Sequence, residues 1–154
     1  MHHTGLLAAC LFALALAGCG APAAAPGAAT AIAPDRSPLA DTSWKLEAFG
    51  DAAGPRPVLA NSTITLAFSA EQRTASGRSG CNSYGGRYAV AGDRVSFDEI
   101  ASTAMACADG SVMDQEQRFQ QALLETSTYR VAGDRLEISY GDGKVLRFVA
   151  ATAT

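Results

Sequence analysis

The chain has 154 residues, with 12 Lys and Arg against 15 Asp and Glu and a formal net charge of −3 at pH 7. That length suits one domain rather than two ordinary ones. The acidic balance lacks the basic stripe that neutralises phosphates, which excludes nucleic acid as the expected partner.

Residues 1–34 hold no Lys, Arg, Asp or Glu, whereas ten of the eleven aromatic residues fall between Trp44 and Phe148. Gly5 to Ala17 is an apolar run of signal-peptide length, and no later run approaches the length of a membrane-spanning helix. The run ends in Leu16-Ala17-Gly18-Cys19, which resembles the lipobox of bacterial lipoprotein signals. There the Cys thiol takes up diacylglycerol and becomes the first residue of the mature chain, and two or three acyl chains suffice to hold a protein on a bilayer. Leu7-Ala8-Ala9-Cys10 fits the same pattern but has too little apolar sequence before it, and Met1-His2-His3-Thr4 lacks the usual Lys or Arg. The other reading of this segment is an ordinary cleaved secretory signal with an incidental Cys. The expected organisation is a signal peptide at 1–18, an Ala/Pro-rich tether at 19–38 and a folded domain at 39–150. The expected location is the bacterial cell envelope, lipid-anchored at Cys19 in the outer membrane and facing the periplasm.

From residue 43 the hydrophobic period is mostly two. Trp44, Leu46 and Ala48 alternate with Lys45 and Glu47, and Ile64, Leu66 and Phe68 alternate with Thr63, Thr65 and Ala67. Such alternation places one face on a core and the other in water, as in antiparallel strands. Tyr88 to Phe97 recurs as Tyr129 to Ile138 with six of ten positions identical, and each copy reads as a hairpin turning at Gly92-Asp93 or Gly133-Asp134. Duplication and shared turn chemistry explain this repeat equally well. Tyr140 to Val145 suggests a third hairpin. Between the repeats, residues 111–125 have helical spacing: Ser111 as N-cap, Asp114 three residues later, and Val112, Phe119, Ala122 and Leu123 on one stripe. Gln115, Glu116, Gln117, Arg118, Gln120 and Gln121 are expected to form its solvated face.

A chain that begins at Cys19 contains no His, which removes His general bases, Ser-His-Asp and Cys-His pairs and His metal ligands. Cys81 and Cys107 are too few for a Cys-only zinc site, and Gly143-Lys144 is followed by Val145 rather than the Ser or Thr of a phosphate loop. Asp98, Glu99, Asp109, Asp114 and Glu116 remain as conceivable acid/base partners, but ordinary solvated surfaces and first helical turns carry such residues too. The latter reading is preferred. In an exported chain Cys81 and Cys107 are expected to form a disulfide, the alternative being a redox-active thiol pair, for which no Cys-x-x-Cys motif exists.

Thr42-Ser43-Trp44-Lys45-Leu46, Gly80-Cys81-Asn82-Ser83-Tyr84-Gly85-Gly86-Arg87-Tyr88 and Thr103-Ala104-Met105-Ala106-Cys107 resemble the META/HslJ-type domain. Glu116, Phe119 and Leu123 follow at the spacing of that family's helix. The resemblance implies a mainly β (α+β) fold: an antiparallel sheet curled toward a barrel of lipocalin-like topology, with one α-helix. It implies no enzyme activity and no cofactor, and it transfers Cys81 and Cys107 as a pair. It also implies an envelope lipoprotein that supports heat or antibiotic tolerance or outer-membrane integrity. Asn82, Ser83 and Tyr84 are carried over as a family signature, and the loop they form beside the staple is a candidate recognition loop. The expected partners are the membrane, through the lipid, and an envelope protein or small ligand, with the domain itself a monomer. A small-ligand carrier and a hydrolase-inhibitor module are the other functions considered.

Overall fold

The computed structural model describes residues 37–151; Cys19, the signal peptide and all but the last two tether residues lie outside them. Nine strands and one helix follow in chain order: β1 (Ser43–Asp51), β2 (Arg56–Pro57), β3 (Thr65–Ser69), β4 (Thr74–Arg78), β5 (Ser83–Ala91), β6 (Arg94–Ser102), α1 (Gly110–Leu124), β7 (Thr126–Ala132), β8 (Arg135–Tyr140) and β9 (Lys144–Ala150). Every pairing is antiparallel between neighbours, and β1 also pairs with β9 from Trp44–Ala150 to Asp51–Lys144. Eight strands therefore close into an up-and-down barrel, with β2 attached as a short flap on β1. Closure removes the exposed edges that an open sheet of this size would present.

The alternating residues face inward as expected. Trp44, Leu46, Leu66, Phe68, Tyr88, Phe97, Leu136, Ile138 and Phe148 are all buried in one core. The barrel is filled by these side chains: the Phe68 ring meets Tyr88 edge-on at 4.9 Å, and Tyr84 meets Phe119 of α1 at 5.6 Å. The two repeated hairpins form, with Ala91 opposite Arg94 and Ala132 opposite Arg135. Gly92 (φ +65°) and Gly133 (φ +61°) supply the left-handed first position that a two-residue hairpin turn needs.

Alternation breaks once in β1. A bulge between Leu46 and Ala48 leaves Glu47 as the extra residue, so Ala48 and Phe49 are both half-buried and Ala48 does not continue the inward series. Beyond the bulge Ala48 and Phe49 pair with Pro57 and Arg56 of β2.

The two ends of the barrel differ. At one end the segment before β1 turns Leu39, fully buried, into the core, and the N–H of Ala151 donates to the Ser43 carbonyl at 2.8 Å. At the other end α1 closes the opening with Phe119 and Leu123, both fully buried. The helix interrupts the seam between β6 and β7, where Arg94–Thr128 is the single register pair. Among the described residues no helix is long and apolar enough to cross a membrane.

The helix-capped end as candidate functional site

The sequence signature converges where α1 crosses the barrel. Gly80 has φ +126°, and a Cβ there would lie 3.1 Å from Ser62 Oγ and 3.2 Å from Val112 Cγ1. Glycine thus lets the β4–β5 loop pass close under the helix and turn two backbone N–H groups toward it. Glu116 receives them: Oε2 accepts from Cys81 N at 3.1 Å and from Asn82 N at 2.8 Å, while Oε1 accepts from Asn82 Nδ2 at 2.7 Å. Asn82 Oδ1 in turn accepts from Thr103 Oγ1 and Met105 N, each at 2.8 Å. One Glu and one Asn therefore join the β4–β5 loop, the segment after β6 and the helix. No buried side-chain polar atom among the described residues is left without a partner.

This arrangement corrects the expectation that Gln115 and Glu116 belong to a solvated face, since they are only 3 % and 6 % exposed. Gln115 Oε1 accepts from Leu59 N at 2.8 Å, and its Nε2 donates to Ser62 Oγ at 2.9 Å. A signal existed: Val112, Glu116, Phe119 and Leu123 follow at intervals of four, three and four, which sets Glu116 inside the apolar stripe. Burial on its own would raise the Glu116 pKa, but hydrogen bonds from Asn82, Ser79 and Cys81 outweigh it and hold the carboxyl below its ordinary range.

The helix start is also corrected. Asp109, not Ser111, is the N-cap: Asp109 Oδ1 accepts from Ser111 N at 2.9 Å, and Oδ2 accepts from Asn61 Nδ2 at 2.8 Å. Hydrogen bonds from Ser111 and Asn61 lower the Asp109 pKa. Of the remaining carboxylates, Glu99 lies 3.7 Å from Arg87 at the surface, and Asp98 and Asp114 are exposed. Among the described residues no group of three or more His, Cys, Asp or Glu is placed to hold a metal ion.

Cys81 and Cys107 are joined as a disulfide, with Cα atoms 6.1 Å apart, beside the Glu116 cluster. Of the three candidate recognition-loop residues, Asn82 and Tyr84 are buried and Ser83 faces solvent. The Tyr84 hydroxyl donates to the Thr65 carbonyl at 2.8 Å, and burial pushes its pKa far above the usual phenol value, so it remains a neutral donor.

The recess at this end lies on the other side of the helix. An open groove of about 510 Å³ runs between the β1–β2 flap, the C-terminal half of α1 and the β8–β9 turn. Phe49, Leu59, Ala122 and Tyr140 form its apolar surface, while Arg56, Arg118 and Lys144 line it together with Asp51 and Glu125. Lys144 Nζ sits 5.9 Å from the Tyr140 ring centre. Burial, then the nearby charges of Glu125 and Asp51, raise the Tyr140 pKa. The Gln115 bonds to Leu59 and Ser62 clamp the flap's return segment to the helix, so this wall is fixed in advance. Nothing in the local sequence announces the groove, because it depends on the β1 bulge and on a two-residue strand containing Pro57.

A family model for the META domain matches residues 37–153. The solution structure of a protein from Burkholderia xenovorans is similar at 32 % identity with a TM-score of 0.65, over 84 % of this chain and 99 % of that one. The crystal structure of a DUF4847-family protein from Bacteroides vulgatus shares the fold at 15 % identity and a TM-score of 0.53, over 75 % of this chain and 96 % of its own. Among curated proteins none matches.

Proposed function

Because the chain belongs to the META-domain family, we propose that it is a non-catalytic interaction module of the bacterial cell envelope, tethered through lipid on Cys19 and supporting heat and antibiotic tolerance or outer-membrane integrity. The observation that carries this reading is the filled barrel. Phe119 and Leu123 close one end and Leu39 the other, so a partner meets the outer surface. Asp109 and Glu116, the carboxylates with lowered pKa, are both occupied in holding the helix, which favours a structural use for them over acid/base work. The small-ligand alternative draws its support from the external groove rather than from a lipocalin-like interior.

Metabolic labelling with an alkyne analogue of palmitate tests the anchor: the full chain takes up label and Cys19→Ser does not. Equal labelling of both, or of neither, rejects lipidation at this position. A deletion strain tests the role, with increased sensitivity to heat and to novobiocin expected, restored by the intact gene and not by Cys19→Ser. A deletion strain with unchanged sensitivity and envelope permeability overturns it.

A further inference from the structure

We infer that the groove between β2 and the C-terminal half of α1 is a binding site for a small amphipathic anion: a carboxylate, sulfonate or phosphate ester on an aromatic or aliphatic body. The body packs against Phe49, Leu59 and Tyr140, and the anionic group lies with Arg56 and Arg118.

Charge placement singles out this ligand class. Arg87, Arg130, Arg135 and Arg147 each have a carboxylate partner, whereas Arg56, Arg73, Arg78, Arg94 and Arg118 have none among the described residues, and of these five only Arg56 and Arg118 line the groove. Both are exposed on facing walls of one recess, one from the flap and one from the helix. The two carboxylates of the groove lie toward Lys144 and ion-pair with neither arginine: Asp51 is the register partner of Lys144 across β1–β9, and Glu125, which accepts from Gln121, flanks Gly141 together with Lys144. Three cations against two carboxylates thus line a recess in a chain whose net charge is −3. A neutral apolar ligand would cover the arginines without pairing them, and a cationic one would meet like charge. An anion with an apolar body satisfies both surfaces, and guanidinium groups are suited to bidentate recognition of carboxylate, sulfonate or phosphate oxygens. The volume of about 510 Å³ is in the range of small-molecule sites. The clamped flap reduces the ordering cost of binding.

The inference stands apart from the envelope reading, because binding here does not depend on the lipid. The test uses the full chain carrying Cys19→Ser, in detergent-free buffer, with 8-anilinonaphthalene-1-sulfonate as probe. Saturable, blue-shifted emission is expected, displaced by decanoate and not by decanol or decyltrimethylammonium below their aggregation concentrations. The Arg56→Gln/Arg118→Gln double variant, whose side chains have no structural partner to lose, is expected to bind roughly tenfold or more weakly with an unchanged melting temperature. Arg94→Gln, remote from the groove, is expected to bind as the parent does. Amide shifts on titration with decanoate should cluster at Phe49, Arg56, Arg118 and Gln121. Non-saturable emission, equal displacement by decanol, undiminished binding by the double variant, or shifts centred elsewhere would each overturn the assignment.

Discussion

Glu116 is the side chain through which α1 holds the β4–β5 loop. It gathers two backbone N–H groups and an amide from a loop 34 and 35 residues away in sequence. Glu116→Ala leaves both backbone N–H groups buried and unpaired, while Asn82 Nδ2 keeps the Met105 carbonyl, with an expected loss of about 3 kcal/mol in urea unfolding at pH 7. The acid dependence follows from the lowered pKa. The unfolded carboxyl titrates at its ordinary value of about 4.3, so its stabilising contribution is complete above that pH and is lost as pH falls through the lower folded value. Parent and Glu116→Gln are therefore expected to differ most near neutrality and to converge at low pH. A constant difference across the acid range would reject the lowered carboxyl. Periodicity sets Glu116 within the apolar stripe of α1, but what makes a buried carboxylate tolerable there is the set of donors brought to it, and those belong to a distant loop that helical spacing does not reveal.

At the scale of elements, local chemistry and long-range packing separate cleanly. The hairpins at Gly92-Asp93 and Gly133-Asp134 are legible because turn residues and alternating strands lie within ten positions. The helix is legible in its apolar stripe, yet its start moved from Ser111 to Asp109 because the cap is shared with Asn61, which sequence spacing cannot reveal. Asp109→Ala is accordingly expected to lower the melting temperature more than Ser111→Ala; the reverse order would restore Ser111 as the cap. The Cys81–Cys107 bridge joins positions 26 apart in sequence, and its reduction is expected to cost about 3–4 kcal/mol on the chain-entropy estimate. Denaturant titrations with and without reductant measure this directly. Beyond reach of local patterning are the β1 bulge, the β2 flap and hence the groove, since register slips are decided by neighbouring strands rather than by the residues that slip.

As a whole molecule, the barrel is closed but unevenly sewn. β8 and β9 share six register pairs, whereas β6 and β7 share one before α1 intervenes. Local opening should begin where the backbone ladder is thinnest. Amides of β7 that face β6 are therefore expected to exchange with deuterium faster than amides within the β8–β9 ladder. Uniform protection around the barrel would show that the helix restores what the missing ladder takes away. That the strands pair antiparallel was readable from alternation and short turns, and the curl toward a barrel followed from the family resemblance. Which strands close it was not readable from any local pattern, because closure rests on β1 meeting β9, about a hundred residues apart in sequence.

The hydrogen bond from Ala151 to Ser43 places the start of β1 and the residue after β9 side by side, at the end of the barrel away from α1. Chain order is therefore separable from architecture. A circular permutant of residues 37–151, its two ends spliced by a short linker and new ones opened between the exposed Glu71 and Gln72 of the β3–β4 turn, has all nine strand pairings still available. Both the cut and the splice fall at that same end, so the groove of the permutant keeps each of its walls. Folding order could thus be rewritten in this protein while the surface it offers to a ligand stays the same.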